Sequence, residues 1–149
     1  CSGGSYSGPG IINMVGNGKF AAEIHNQQNV TIDGLTSAGK GIKLAGNTSG
    51  TTTVTTLFTD IGGGGVFSHA IYAPTGLKNS TIMYNHFINV AGNGVMATGL
   101  STESIINSNY FQDVWEGIHV ITSGGQNLQM SDNIGVGFKR MGRRTGCVD

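Results

Sequence analysis

The run Asp113-Val114-Trp115-Glu116-Gly117-Ile118-His119 puts two carboxylates, an imidazole and the chain's only tryptophan in one short stretch. Only 11% of the 149 residues are charged, so this is the densest polar cluster in the sequence. Two carboxylates flanking a sugar linkage are what a glycoside hydrolase needs, about 5 Å apart for retention and further for inversion. Asp113 and Glu116 are the local pair of that kind. A polysaccharide lyase needs instead a base near the sugar C5 and a cation to neutralise the uronate. His119, Lys43 and Tyr72 have the right chemistry for that work. Trp115 could serve as a stacking platform for a pyranose ring. Its alignment with Ala91, one repeat earlier, suits a core position equally well.

These residues belong to a repeat. Gly-apolar-x-apolar occurs as Gly41 to Leu44, Ala70 to Ala73, Gly94 to Ala97 and Gly117 to Val120, at steps of 29, 24 and 23 residues. Ahead of it runs a phrase beginning at Phe58, Phe87 and Phe111, and Asn85, Asn109 and Asn133 follow one another at steps of 24. Upstream lies an aliphatic column of Ile32, Val54, Ile82, Ile106 and Met130. Each unit holds short segments of period two broken by Gly, Asn or Ser, with no helical periodicity. A unit of this kind cannot bury its own apolar face, but stacked copies can. The expected fold is all-β: a right-handed parallel β-helix, a solenoid of about six coils of ~24 residues. Aliphatics and Phe would stack inside it. The recurrent Asn would sit at the bends, in left-handed conformation and bonded to its neighbours.

On such a solenoid the outward position of the phrase collects Lys43, Tyr72, Met96 and His119, with Arg144 next if the last coil keeps register. Beside it lie Lys40, His69, Asn93 and Glu116. Rings for pyranose faces, amides and carboxylates for hydroxyls and cations for uronates would then share one face. We take Asp113, Glu116 and His119 as catalytic candidates, and Lys43, His69, Tyr72, Asn93 and Trp115 as substrate-binding ones. An ordinary solvated sheet face is the plain alternative.

From Phe20 to Gly142 the pattern resembles the right-handed parallel β-helices of the pectate-lyase-like superfamily. The likeness rests on the coil length, the aliphatic columns, and Asn85, Asn109 and Asn133 at the place of that fold's turn ladder. The resemblance implies an extracellular protein, secreted or at the cell surface, whose partner is a polysaccharide. The Arg-x-Pro-x-x-Arg of pectate lyases is absent, as are the Asn-Thr-Asp, Asp-Asp and Gly-His-Gly set of polygalacturonases. No catalytic residue is therefore carried over, and fold alone does not give function. The competing expectation is a non-catalytic β-helix module, structural or adhesive, of the kind found in phage tailspikes and surface proteins.

Other classes are disfavoured. A formal charge of zero gives no basic footprint for nucleic acid. No apolar run approaches the ~20 residues of a membrane-spanning helix. Gly92-Asn93-Gly94-Val95-Met96-Ala97 matches a dinucleotide fingerprint, but such a fingerprint requires a following helix, and none is expected. The spacing of His25, His69, His86 and His119 fits no zinc motif, so no metal or other cofactor is expected. Residues 1–17 read as a flexible leader and 18–149 as a single β-helix domain, whole or part of a longer one. Cys1 followed by Gly and Ser also resembles the lipid-anchored start of a mature bacterial lipoprotein. Cys1 and Cys147 would lie too far apart on a rod for a bond, unless the leader folds back. The cations Lys139, Arg140, Arg143 and Arg144 would keep the last strand from pairing with other molecules, although a homo-oligomer remains compatible with the fold.

Overall fold

The computed structural model describes residues 4–6, 10–12, 20–63, 65–121, 127–137 and 140–145. Because each short alternating segment buries only one face, the chain coils and lays like segment on like. The result is a parallel β-solenoid of about five turns, in six stacked rungs. One ladder runs through β1 (Gly4–Tyr6), β4 (Val30–Asp33), β7 (Thr52–Val54), β10 (Thr81–Met83), β12 (Ile105–Asn107) and β14 (Gln129–Ser131). The second contains β2 (Gly10–Ile12), β5 (Leu35–Ala38), β8 (Leu57–Ile61), the first halves of β11 (His86–Ala97) and β13 (Tyr110–Ile121), and β15 (Ile134–Val136). The third holds β3 (Ala22–His25), β6 (Ile42–Ala45), β9 (Ile71–Ala73), the second halves of β11 and β13, and β16 (Arg140–Thr145). β11 and β13, of 12 residues each, carry the chain around a corner without a break. The strands β1 and β2 fall within the stretch that reads from sequence as a leader, and pair in parallel with β4 and β5.

The inward columns hold the solenoid together. Phe58, Phe87 and Phe111 stack with ring centroids 5.1 and 4.7 Å apart and are fully buried. That separation follows from the strand spacing of about 4.8 Å. Burying each ring stabilises the fold by roughly 1.5–3 kcal/mol. At the preceding corner, the backbone N–H and side-chain amide of Asn85 both donate to Asn109 Oδ1, each at 3.0 Å. Asn109 repeats both bonds to Asn133 Oδ1 at 3.1 and 3.0 Å. The same amides reach the carbonyls of Thr53, Ile82 and Ile106. The asparagines are not themselves the left-handed residues. Tyr84, Ser108 and Asp132, one position earlier, take φ of 56, 53 and 52°. The bend is made there, and it frees each Asn side chain to turn inward and satisfy the backbone at the corner.

Cys1, Lys139 and Cys147 lie outside the described residues, so the anchor and disulfide readings are not addressed by this structure.

Candidate functional site

A β-bulge builds the centre of the polar face. Val90 pairs with Val114 and Asn93 with Glu116, so Ala91 and Gly92 of β11 oppose Trp115 alone on β13. The extra residue re-aims the side chains that follow it. Trp115 points outward at 52% exposure, which sets aside its core reading. Glu116 and Asn93 turn in, leaving 4 and 5% exposed. Gly92 is required at this spot, because a Cβ there would lie 2.4 Å from Ser68 Oγ and 2.8 Å from His69 Nδ1. Gly94 is held by packing in the same way: its Cβ would lie 2.4 Å from the Phe111 ring. The two glycines of the fingerprint-like sequence therefore serve coil packing.

The buried polar atoms form a chain across three rungs. The Asn93 backbone N–H donates to His69 Nδ1 at 3.0 Å, and the Asn93 amide donates to Glu116 Oε2 at 2.9 Å. His119 Nδ1 lies 3.0 Å from the same carboxylate oxygen. Because its Nδ1 accepts a hydrogen bond, His69 is a neutral imidazole with its proton on Nε2. Burial, and secondarily the nearness of His119, hold its pKa below the ordinary histidine value. Glu116 Oε1 has no hydrogen-bond partner among the described residues. Arg140 stands opposite Glu116 in the next rung. A carboxylate that accepts a hydrogen bond from the Nδ1–H of a neutral imidazole leaves Nε2 as the unprotonated, basic nitrogen, the arrangement suited to proton abstraction.

The outward column follows the expected register through Lys43, Tyr72, Met96 and His119, and Glu23 precedes Lys43 in it. Its next member is Arg143, with Arg144 opposite Val120, because the last rung keeps the 24-residue step from His119. At the other end of the column lies a cleft of about 520 Å³, lined by Phe20, Glu23, Lys43, Phe67 and Tyr72 among others. Phe20 stacks on Tyr72 at 5.8 Å and tilts against Phe67 at 5.4 Å, and His69 lies 5.8 Å from Tyr72. Lys43 Nζ sits 3.4 Å from Glu23 Oε2 and 5.9 Å from the Phe20 ring centroid. A hydrogen bond from His25, together with Lys43, keeps the Glu23 carboxyl below its usual pKa.

Phe20 and Phe67 were not among the sequence candidates. Phe67 lies on the short 3₁₀ helix Gly65–Ser68, within the longest repeat step of 29 residues. An insertion in one coil of a solenoid tends to emerge on the binding face, and that was the available signal.

Among the candidates, His69, Asn93, Glu116 and His119 come together, and Lys43 meets Tyr72 in the cleft. Asp113 stands apart. It is exposed, with φ of 53°, and its carboxylate accepts from Gln112 at 3.5 Å. It continues a corner column with Asp60 and Asn89, also left-handed, where the Asn89 amide donates to Asp60 Oδ1 at 2.8 Å. That bond, with one from Thr59, lowers the Asp60 pKa. Asp113 and Glu116 thus have separate partners, on either side of the buried Val114.

The chain matches no family model, no curated protein and no solved structure. Among the described residues, no helix is long and apolar enough to cross a membrane.

Proposed function

We propose that this is an extracellular, carbohydrate-active β-solenoid of the pectate-lyase-like kind, which grips a polysaccharide along the face bearing Lys43, Tyr72 and His119. The observation that carries this reading is the aromatic cleft. Phe20, Phe67 and Tyr72 surround a space of about 520 Å³ beside a lysine and a carboxylate, which combines flat apolar surfaces for pyranose rings with charged groups for their polar edges. Lys43 and Tyr72 occupy the same column as His119, so a polymer lying along the solenoid would pass from the cleft to the imidazole. Trp115, exposed next to Glu116 in sequence, offers a further stacking surface.

In this reading cleavage falls to His119 as base, oriented by Glu116 and Asn93, which favours a lyase over a hydrolase. The supporting observation is that Asp113 and Glu116 make separate contacts and do not pair across a common space. A second reading is a non-catalytic adhesive or structural module. It is favoured by the burial of Glu116, 4% exposed, and of His119, 9% exposed, which limits their reach to a polymer.

The test is incubation with a panel of neutral and acidic polysaccharides, following binding, new reducing ends and product masses together. Products short of one water and unsaturated support the lyase. Hydrated products would move the chemistry to a hydrolase. Binding without cleavage selects the adhesive module, and the absence of both overturns the proposal.

A further inference from the structure

We propose that the solenoid carries a second sugar-binding site, a cleft beside Tyr84 and His86 that holds one residue of a neutral glycan. It lies away from the face bearing Lys43, Tyr72 and His119, at the corner between the first two ladders. Thr55, Thr56, Leu57, Tyr84 and His86 line a space of about 230 Å³ there. Pockets for drug-sized ligands start at about 300 Å³, so this one suits a single sugar ring. The backbone singles out the same place. One corner column runs through Gly34, Thr55, Tyr84, Ser108 and Asp132, all left-handed, with φ between 47 and 65°. Glycine and aspartate accept that conformation, whereas a β-branched or bulky residue in it is an outlier. Thr55 and Tyr84 are the two outliers, in adjacent rungs, and both line the cleft. Tyr84 is 58% exposed, so its ring adds little core packing to offset the strain. Strain of this kind gathers where a side chain must meet a ligand.

The lining has the chemistry of a sugar subsite. Leu57, His86 and Tyr110 follow one another in an outward column, and the exposed His86 ring leans on Tyr110 with centroids 5.4 Å apart and planes at 57°. The C–H face of a pyranose is apolar and stacks on a ring, while the hydroxyls at its edge need donors and acceptors close by. The Tyr84 hydroxyl and the His86 ring nitrogens supply these, since among the described residues no hydrogen bond ties them to protein. The Thr55 hydroxyl is fixed in place, donating to Asp33 Oδ1 and accepting the Gly34 N–H at 3.1 Å. Charge sets the ligand class. None of the described lining residues is Lys, Arg, Asp or Glu, whereas Lys43 and Glu23 line the larger cleft. A uronate placed here would lose hydration without gaining a counter-charge, so the sugar that fits is a neutral one.

Titration of the isotopically labelled 149-residue chain with cellohexaose, mannohexaose and maltohexaose, followed by aromatic NMR, tests this. At least one of the three should shift the Tyr84 and His86 ring signals saturably, and a galacturonate hexamer should not. Tyr84→Asn should weaken that binding more than tenfold while leaving the melting temperature unchanged or higher, because asparagine suits a left-handed corner. His86→Ala should weaken it as well, and carries the test if Tyr84→Asn fails to fold. Phe67→Ala acts on the other cleft and should leave the shifts as in wild type, so the failure of one site is read apart from the failure of the other. The proposal is overturned if no neutral hexasaccharide moves these signals, if the galacturonate binds as well as the neutral sugars, if binding survives both Tyr84→Asn and His86→Ala, or if Phe67→Ala abolishes it.

Discussion

The corner built on Asn85, Asn109 and Asn133 and the face built on Lys43, Tyr72, Met96 and His119 use the same rungs to opposite ends. At the corner three successive rungs present the same residue, because each amide accepts from the rung below and donates into the one it joins. The Phe column obeys the same demand, since a ring stacks best on a ring of its own size. On the outward face no such demand exists and every rung differs. Identity within a column marks what the solenoid needs to stand. Variation within a column marks where it is open to other work.

The comparison can be broken at several points. The largest effect should come from Phe87→Ala, which removes the central ring of a fully buried stack. It should cost about 3–5 kcal/mol in denaturant unfolding, and a much smaller loss would mean the column tolerates disorder. Asn109→Ala should follow at about 2 kcal/mol, because buried groups of Asn85 and Ile82 lose their partner. Both variants act on the scaffold and should lower stability before they alter any ligand binding.

A third effect belongs to the polar face and depends on pH. The His69 pKa is lowered in the folded state from the ordinary 6.5, chiefly by burial. A histidine whose folded pKa is depressed is protonated more readily unfolded, so its stabilising contribution is present above the unfolded pKa and fades as pH falls below it. Melting temperature should therefore drop on going from neutral pH to about 5, and His69→Gln should flatten that slope. The lowered carboxyls Glu23 and Asp60 start from 4.5 and 3.8, so their loss falls at more acid pH and can be told apart. The smallest effect on stability should come from Phe67→Ala, within about 0.5 kcal/mol for a surface side chain. That variant should nevertheless weaken polysaccharide binding, measured by affinity electrophoresis or calorimetry. Unchanged binding would move the site away from the cleft.

Much of the scaffold was legible beforehand because stacking writes itself into sequence as repetition. The 24-residue step between Asn85, Asn109 and Asn133 and the recurrence of Phe58, Phe87 and Phe111 foretold a parallel solenoid, and these residues do stack on one another. The site was legible only in part. The register placed Lys43, Tyr72, Met96 and His119 in one column, but it could not say which neighbours turn inward. The shift from a 24-residue step at Phe87 to a 23-residue step at Gly94 was the trace of the bulge, and the long step ahead of Ala70 was the trace of the loop bearing Phe67.

By itself the sequence determined the rung length and most of the residues that face the core, since both follow from period-two alternation and a repeated phrase. It put Val54 in the aliphatic column whose inward place Thr53 takes, and Arg144 in the outward column that Arg143 continues. Only the tertiary structure decided that Asp113 serves a left-handed corner, that Trp115 faces out, and that Glu116 is buried against Asn93 and His119. It also decided that Phe20 meets Phe67 and Tyr72 over a cleft. These outcomes turn on one extra residue in one strand and on contacts between rungs about 4.8 Å apart in space but a full coil apart in sequence. Local pattern carries no information about either until the rungs are laid on each other.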